Sequence, residues 1–217
     1  MSIIAVVDYN MGNLRSVTQA LQHVAPANTE IRITANPEDI LRADRIVFPG
    51  QGASRDCMRE LQSHELIDVV SEAARSKPFL GICMGMQVLM SRSEENGGVD
   101  LMNAYKGQVK HFNGVIGRTD ASGERLKIPQ MGWNRIDHTQ NHPLWKGIES
   151  GSRFYFVHSY FLEPETTALT AGTTDYGIQY TSAIAQDNVF AIQAHPEKSA
   201  DDGLQLLKNF TQWDGQN

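Results

Sequence analysis

The amino-acid sequence predicts an α/β fold in which a mostly parallel central sheet has helices on both faces. In the first half of the chain, short apolar runs typical of covered strands alternate with segments whose apolar residues recur at helical spacing. In the second half, strand-like runs follow with few helices between them, which predicts a smaller antiparallel section. The 217 residues are 41% hydrophobic, so one sizeable core and a single domain over residues 1–217 are expected.

The predicted first half consists of repeated strand–helix units. Residues 3–7 form an apolar strand, and residues 8–13 form a loop at its carboxyl end. From Leu14 to Val24 the apolar residues recur at helical spacing, and Asn13 is the expected N-cap. Further strands are expected over residues 30–34, 45–48 and 78–82, and further helices from residue 36, over 54–76 and over 84–90.

The predicted second half is mostly strands. They cover residues 108–112, 153–160, 167–173, 182–186 and 190–193. A last helix is expected over residues 200–212, where Ser199 and Asp202 have the Ser-x-x-acid spacing of a capping box.

Composition and charge exclude several classes of function. Nineteen basic and 25 acidic residues give a formal net charge of -6 without a Lys/Arg cluster, so no nucleic-acid partner is expected. The apolar run at residues 3–7 is too short for a membrane span and lacks the flanks of a signal peptide, so we expect no membrane association and a cytoplasmic location. Cys57 and Cys83 cannot build a disulfide framework and are expected to be free thiols.

Residues 81–85, Gly-Ile-Cys-Met-Gly, place Cys83 between two glycines where a predicted strand meets a predicted helix. This is the pattern of a nucleophile elbow with cysteine in place of serine. The sharp turn leaves little room for a Cβ two residues before and after the nucleophile, and the positive end of the following helix favours a thiolate. The alternative is a buried cysteine that only packs.

His195 and Glu197 are the candidates for the base and the orienting group that a nucleophilic thiol needs. They flank Pro196, which restricts the backbone between them, directly after the predicted strand at residues 190–193. His195 should therefore emerge at the same edge of the sheet as Cys83. A lone histidine is more often structural, but its combination with Glu197 and an elbow cysteine favours catalysis.

Backbone amides are the candidates for stabilising an oxyanion. Residues 49–52, Pro-Gly-Gln-Gly, end a predicted strand, and the amides of Gln51 and Gly52 could turn toward an anion. Met84, directly after the nucleophile, would supply a second donor, as in elbow enzymes generally. The alternative for residues 49–52 is an ordinary tight turn.

The elbow cysteine, the His-Pro-Glu sequence and the Pro-Gly-x-Gly strand end together resemble the class I glutamine amidotransferases, a family with a flavodoxin-like α/β fold and a Cys-His-Glu triad. Within that family, the chain most resembles the glutaminase subunits of imidazole glycerol phosphate synthase. The matching blocks are residues 8–14, 49–53, 81–87, 93–95, 129–134, 156–160 and 195–199. Asn10, Gln51 and Ala194 depart from the family pattern, in which glycine, a small apolar residue and phenylalanine are usual.

The resemblance implies hydrolysis of glutamine through a covalent intermediate. Cys83 would attack the carboxamide carbon after His195 takes its proton, Glu197 would orient the imidazole, and water would hydrolyse the thioester to glutamate. The family's glutamine-binding positions correspond to Gln87, Glu95, Ser159 and Tyr160. The Glu95 carboxylate would offset the substrate's α-ammonium charge. No cofactor and no metal are implied.

The resemblance also implies a partner subunit. In bulk water the freed ammonia is mostly protonated and no longer nucleophilic, so a second protein must receive it directly. In this family the partner is a (β/α)8-barrel cyclase, and its imidazole product serves histidine synthesis. Asn13, Trp133 and Lys198 match positions near that interface, although Trp133 could instead be a core aromatic residue.

Other interpretations of the sequence stay open. A stand-alone cysteine hydrolase could use the same elbow without a partner, and a class I amidotransferase could serve another synthase. A non-catalytic binding module could retain the fold, although the intact cysteine, histidine and glutamate argue against it. A metal site at His138 and His142 is disfavoured because Asn141 and Pro143 do not suit a helix and no third ligand is near.

Overall fold

The computed structural model describes residues 2–113, 119, 123 and 126–216. The strands are β1 (Ser2–Val7), β2 (Thr29–Thr34), β3 (Arg45–Gly50), β4 (Phe79–Cys83), β5 (Arg92–Ser93), β6 (Val99–Asp100), β7 (Gly107–His111), β8 (Gln130–His138), β9 (Ser152–His158), β10 (Tyr160–Pro164), β11 (Thr170–Asp175), β12 (Gln179–Gln186) and β13 (Val189–Ile192). The helices are α1 (Leu14–Val24), α2 (Pro37–Arg42), α3 (Ser54–Ser63), α4 (Ile67–Ser76), α5 (Met84–Gln87) and α6 (Ala200–Gln212). None of the helices in these residues is both long and apolar enough to span a bilayer.

The parallel part of the sheet consists of β2, β1, β3, β4 and β13 in that order. Each neighbouring pair among them is parallel. β12 pairs antiparallel with β13, and the sheet continues through β10, β7, β5 and β6, with a branch through β11 and β8 to β9. The predicted fold class, a parallel α/β sheet with an added antiparallel section, is confirmed.

Apolar side chains cover both faces of the parallel strands. Ile4 and Val6 of β1 pack in one cluster with residues of α1 and α6, whereas Ala5 and Val7 pack in a second cluster with residues of α3 and α4. All four side chains are fully buried. Successive residues of a strand point to opposite faces, so a strand covered on both sides is an uninterrupted apolar run.

The helix predicted over residues 54–76 is two helices. Glu65 adopts a positive φ of 57°, and the Leu66 N–H bonds the Leu61 carbonyl at 2.8 Å. This is a Schellman-type ending, which satisfies the last carbonyls of α3 before α4 begins. The helix after Cys83 is also shorter than predicted, since it ends at Gln87.

Several strands were not predicted correctly. The strands β5 and β6 were not predicted, and the strand predicted over residues 167–173 begins only at Thr170, after a 3-10 turn over Thr167–Leu169. The segment 153–160 is divided between β9 and β10, with the break at Ser159. β8 was missed because its pattern is inverted: Met131 and Trp133 are exposed, whereas Gln130 is buried. In an ordinary half-buried strand the apolar residues of the alternating pattern face the core. An apolar face exposed to solvent does not fit that pattern, so it does not predict a strand.

The two predicted N-caps also differ from expectation. Asn13 precedes α1, but its side chain makes no capping hydrogen bond, and neither does that of Ser199 at the start of α6. The Ser199 hydroxyl instead donates to the His195 carbonyl at 2.6 Å and accepts the Tyr155 N–H at 2.9 Å. The capping-box prediction is therefore wrong, because a tertiary contact uses the hydroxyl.

His158, the last residue of β9, is enclosed by aromatic rings. The rings of Phe112 and Tyr180 lie 5.3 and 5.5 Å from its centroid. Its Nδ1 is 2.7 Å from the Tyr160 carbonyl, which can only accept, so Nδ1 carries the proton of the neutral ring. Burial lowers the pKa of His158 to about 4, although that hydrogen bond opposes the shift.

We expect His158 to reduce stability in mild acid. Between its ordinary value of 6.5 and about 4, the unfolded chain binds a proton that the folded chain does not, so the free energy of unfolding falls as the pH falls. The loss is at most about 3 kcal/mol. Urea unfolding of wild type and His158→Asn from pH 7 to pH 4 measures it. The wild type should lose stability relative to the variant over this range, and a constant difference would show that the imidazole titrates normally.

Candidate active site

Three parallel strands end side by side and carry the predicted chemical groups. Gly50 at the end of β3 pairs with Cys83 at the end of β4, and Ile82 pairs with Ile192 at the end of β13. His195 follows Ile192 by three residues. Because carboxyl ends of parallel strands share one edge of a sheet, the thiol, the segment 49–52 and the histidine meet there.

Cys83 lies on a strained turn between β4 and α5. Its backbone has φ 56° and ψ -111°, a combination that residues with a Cβ rarely adopt. A Cβ at Gly81 would lie 2.9 Å from the Gly85 carbonyl oxygen, and a Cβ at Gly85 would overlap the Phe48 carbonyl oxygen. Both positions therefore require glycine, and the turn has the geometry predicted for an elbow.

A buried ion pair joins His195 to Glu197. His195 Nδ1 lies 2.8 Å from Glu197 Oε1, and the two side chains are 5% and 0% exposed. Burial alone would lower the pKa of His195, but the nearby Cys83 and the Glu197 carboxylate together raise it to about 10. The ring is therefore held protonated near neutral pH, which suits a neighbouring thiolate.

Cys83 and His195 line the same cavity, and Cys83 is one of the groups that raise the pKa of His195. The other ring nitrogen, Nε2, is buried and makes no well-aligned hydrogen bond within the described part of the chain. Such catalytic contacts are often loose in free enzymes and tighten when substrate binds. The predicted proton transfer between Cys83 and His195 requires such a tightening, and both residues line one cavity.

A cavity of about 600 Å³ lies over Cys83. It brings together most of the residues predicted for catalysis, oxyanion stabilisation, glutamine binding and the interface. Those in its lining are Gln51, Gly52, Cys83, Met84, Gln87, Glu95, Ser159, Tyr160, His195 and Lys198. Glu197 lies behind His195, and Asn13 and Trp133 lie outside the lining.

Gln87 and Glu95 are partly used by the protein itself. Gln87 Nε2 donates to the Tyr160 carbonyl at 3.2 Å and to Gln193 Oε1 at 2.9 Å, while its Oε1 is buried with no partner among the described residues. Glu95 Oε2 accepts the Ser54 N–H at 2.5 Å. The other Glu95 oxygen is the atom that a ligand could engage directly, because Gln87 Oε1 is almost completely enclosed by the protein.

Ser159 and Tyr160 line the cavity at the break between β9 and β10. The Ser159 carbonyl accepts the Phe112 N–H at 3.0 Å. The Tyr160 carbonyl accepts from Gln87 and from His158. Contacts with a ligand would therefore come from other atoms of these two residues.

Sequence reasoning missed Gln193, which is fully buried and donates from Nε2 to the Cys83 sulfur at 3.6 Å. The available signal was its position directly after β13 and two residues before His195. Pro129, Val157 and His158 also line the cavity. They lie inside or beside motif blocks, but no spacing rule assigned them a role.

Of the residues matched to a subunit interface, Lys198 lines the cavity, whereas Trp133 and Asn13 lie outside its lining. Trp133 is 44% exposed, so it is not a core aromatic residue, and it pairs across strands with Tyr155 at 6.2 Å between ring centroids. Lys198 Nζ lies 5.9 Å from the centre of the same Tyr155 ring. Asn13 follows Gly12, where an added Cβ would lie 3.5 Å from the Gly50 backbone nitrogen, so this loop packs against the end of β3.

The three departures from the family pattern fit their surroundings. Asn10 has a φ of 62°, a conformation that asparagine tolerates better than most residues, and its amide contacts His64 at 2.9 Å. Ala194 is fully buried. Gln51 is exposed, and its backbone carbonyl accepts a hydrogen bond from the Cys57 thiol at 3.6 Å.

Neither Cys57 nor the histidines at 138 and 142 form a second site. Both cysteines are free, and burial raises the pKa of Cys57 to about 12, so its thiol is unreactive. His138 stacks on Trp145 with 4.1 Å between ring centroids. Within residues 2–113 and 126–216, no group of three His, Cys, Asp or Glu side chains could hold a metal ion.

Comparison with known proteins agrees with this geometry. The model of the family "Glutamine amidotransferase class-I" matches residues 5–213. The imidazole glycerol phosphate synthase subunit HisH of Hydrogenovibrio crunogenus is 55% identical over 215 residues, which are 99% of this chain and 98% of that protein. The HisH subunit of Thiobacillus denitrificans is 54% identical over 210 residues, which are 97% of this chain and 91% of that protein.

Solved structures share the fold at lower identity. PurLQS from Thermotoga maritima superposes with a TM-score of 0.68 at 18% identity, covering 96% of this chain and 97% of its own. A glutamine amidotransferase superposes with a TM-score of 0.69 at 15% identity, covering 96% and 99%. The family match and the HisH relatives extend over nearly the whole chain. The protein therefore belongs to the class I glutamine amidotransferase family, among the HisH subunits of imidazole glycerol phosphate synthase.

Proposed function

We propose that this chain acts as a single glutamine amidotransferase domain that hydrolyses glutamine through a Cys83 thioester. The ammonia passes to the synthase subunit that forms imidazole glycerol phosphate for histidine biosynthesis. The observation that carries the proposal is the buried His195–Glu197 pair, 2.8 Å apart, beside an elbow cysteine in one cavity. The relatives named HisH support the choice of synthase.

In the proposed mechanism, the Cys83 thiolate attacks the carboxamide carbon of glutamine. His195, which holds the proton, gives it to the leaving nitrogen, and Glu197 keeps the ring oriented. The amides of Met84 and of the Gln51–Gly52 segment stabilise the oxyanion, and one such donor contributes roughly 3 kcal/mol. Water then attacks the thioester, and neutral His195 takes its proton.

Glutamine binding is proposed to complete polar groups that the chain leaves unpaired. Gln87 Oε1 is buried without a partner in the described residues, which costs free energy, and a small movement of the enclosing side chains would let a ligand donate to it. Glu95 reaches the same cavity with one carboxylate oxygen uncommitted, so it can pair with an α-ammonium group. Ser159 and Tyr160 would supply the remaining contacts.

A (β/α)8-barrel cyclase subunit is the proposed partner in a cytoplasmic heterodimer with lyase activity. Trp133 and Met131 of β8 are 44% and 65% exposed, and exposed large apolar side chains close together mark interaction surfaces. Lys198 extends this surface to the cavity, and Asn13 completes it on the side of segment 49–52. Ammonia could then cross without meeting bulk water, and nucleotide bound by the partner would stimulate the glutaminase.

The alternatives make different predictions. A stand-alone hydrolase would turn over rapidly by itself, whereas the proposed subunit should be feeble until the cyclase and its nucleotide are added. The exposed apolar face of β8 favours a subunit that depends on its partner over a stand-alone hydrolase. An amidotransferase for another synthase would be stimulated by a different partner, and the 54–55% identity to HisH subunits disfavours it.

Cys83→Ala is the direct test of the proposed chemistry. We expect glutamine-dependent synthesis by the complex to fall by at least roughly 10³-fold, because no nucleophile is left. Ammonia-dependent synthesis by the partner should persist. Product formation from glutamine and from ammonium salt measures the two. Loss of both would argue that Cys83 is structural, and retention of both would end the thioester proposal.

Trp133→Ala tests the proposed docking surface. Removing this anchor should raise the Kd for the cyclase subunit by about tenfold or more, while loss of the cross-strand pair with Tyr155 lowers the free energy of unfolding by only about 1 kcal/mol. Ile33→Ala is a matched control, since Ile33 is also 44% exposed but lies on the distant edge strand β2. Isothermal titration of each variant with the cyclase measures the Kd. Equal affinities for the two variants would contradict the surface.

A further inference from the structure

We infer that Gln193 is a further catalytic residue, whose side-chain amide donates a hydrogen bond to the Cys83 sulfur and stabilises the thiolate. Nε2 of Gln193 lies 3.6 Å from Sγ of Cys83, and both residues are buried. A hydrogen bond to the charged form of a group favours that form. The inference deepens the proposed function and rests on its thiol chemistry.

The direction of this hydrogen bond follows from a backbone carbonyl. The Tyr160 carbonyl can only accept, so the Gln87 side-chain atom 3.2 Å away must be nitrogen. That nitrogen's second proton points to Gln193, so the Gln193 atom 2.9 Å away must be the acceptor oxygen. The remaining amide group of Gln193, which faces the sulfur, is therefore the N–H donor.

The rest of Gln193 is held rigidly in place. Its backbone N–H bonds the Ser182 carbonyl at 2.8 Å and extends the β12–β13 pairing by one residue. Its side chain is fully enclosed, and burying an amide is costly unless its groups are paired. Here Gln87 donates to Oε1 of Gln193, and Nε2 of Gln193 donates to Cys83. Leucine in place of Gln193 would fill the same space but would leave the sulfur without this donor.

This donor acts differently from His195. The imidazole changes its charge during the reaction, because it gives its proton to the leaving nitrogen. An amide N–H does not titrate, so it supports negative charge on sulfur both before attack and when the thiolate leaves in thioester hydrolysis. Gln193 therefore acts at both steps at which the sulfur is negative, and its contribution does not depend on the movement of the ring's proton.

The test is the pH dependence of alkylation of Cys83 by iodoacetamide in the whole chain. In Gln193→Leu the pH midpoint of the alkylation rate should move upward by about one unit, so that the rate below the midpoint falls about tenfold. A Cys83→Ala sample measures any reaction at Cys57. The glutaminase kcat of the complex should fall by a similar factor with little change in KM.

Gln130→Leu is the matched control, because Gln130 is also a buried glutamine, bonded to Tyr180, and does not contact the sulfur. Its midpoint should equal that of the wild type. A folded Gln193→Leu variant with an unshifted midpoint overturns the inference. Should that variant not fold, Gln193→Glu keeps the length and places a carboxylate by the sulfur, and its midpoint must also rise. Alkylation needs no glutamine, whereas failure of the proposed function would appear as no glutamine turnover by the wild-type complex.

Discussion

The parallel registration of β3, β4 and β13 is the constraint on which the rest of the site depends. It aligns Gly50 with Cys83 and Ile82 with Ile192, so three segments distant in sequence end at one edge. The backbone of Cys83 can then adopt its strained turn, because a packed sheet on both sides holds it there. Sheet pairing thus places the residues proposed as nucleophile, base and oxyanion segment together without using any of their side chains.

A second layer of buried hydrogen bonds fixes the orientation of the reacting groups. Ser199 links the His195 carbonyl to the Tyr155 amide, and Glu197 holds the imidazole from behind. The Tyr160 carbonyl accepts from Gln87, Gln87 donates to Gln193, and Gln193 donates to the Cys83 sulfur. In a buried, poorly solvated site each of these bonds is stronger than in water, and each is costly to leave unmade. The network therefore allows few ways of distributing protons among these side chains.

The antiparallel section connects this interior to the outer surface. β9 carries His158 inward at its end, while Tyr155 of the same strand contacts Trp133 of β8 on the exposed side. Because alternate residues of a strand face opposite ways, one pair of strands both closes the cavity and displays the apolar surface proposed for the partner. A partner that shifts β8 or β9 would act on groups that line the site.

The sequence alone determined the features whose cause is local. The elbow at Cys83 needs glycine two residues away on each side, His-Pro-Glu confines its two side chains within one short turn, and α6 matches its predicted bounds. Tertiary structure decided what depends on distant neighbours. It turned the Ser199 hydroxyl from a cap into a link between two segments and gave β8 an outward apolar face. The contact of Gln193 with Cys83 joins residues 110 apart in sequence, and no spacing rule reaches that far. Local steric demands leave a pattern in the residues themselves, whereas a contact between strands exists only once the sheet has formed.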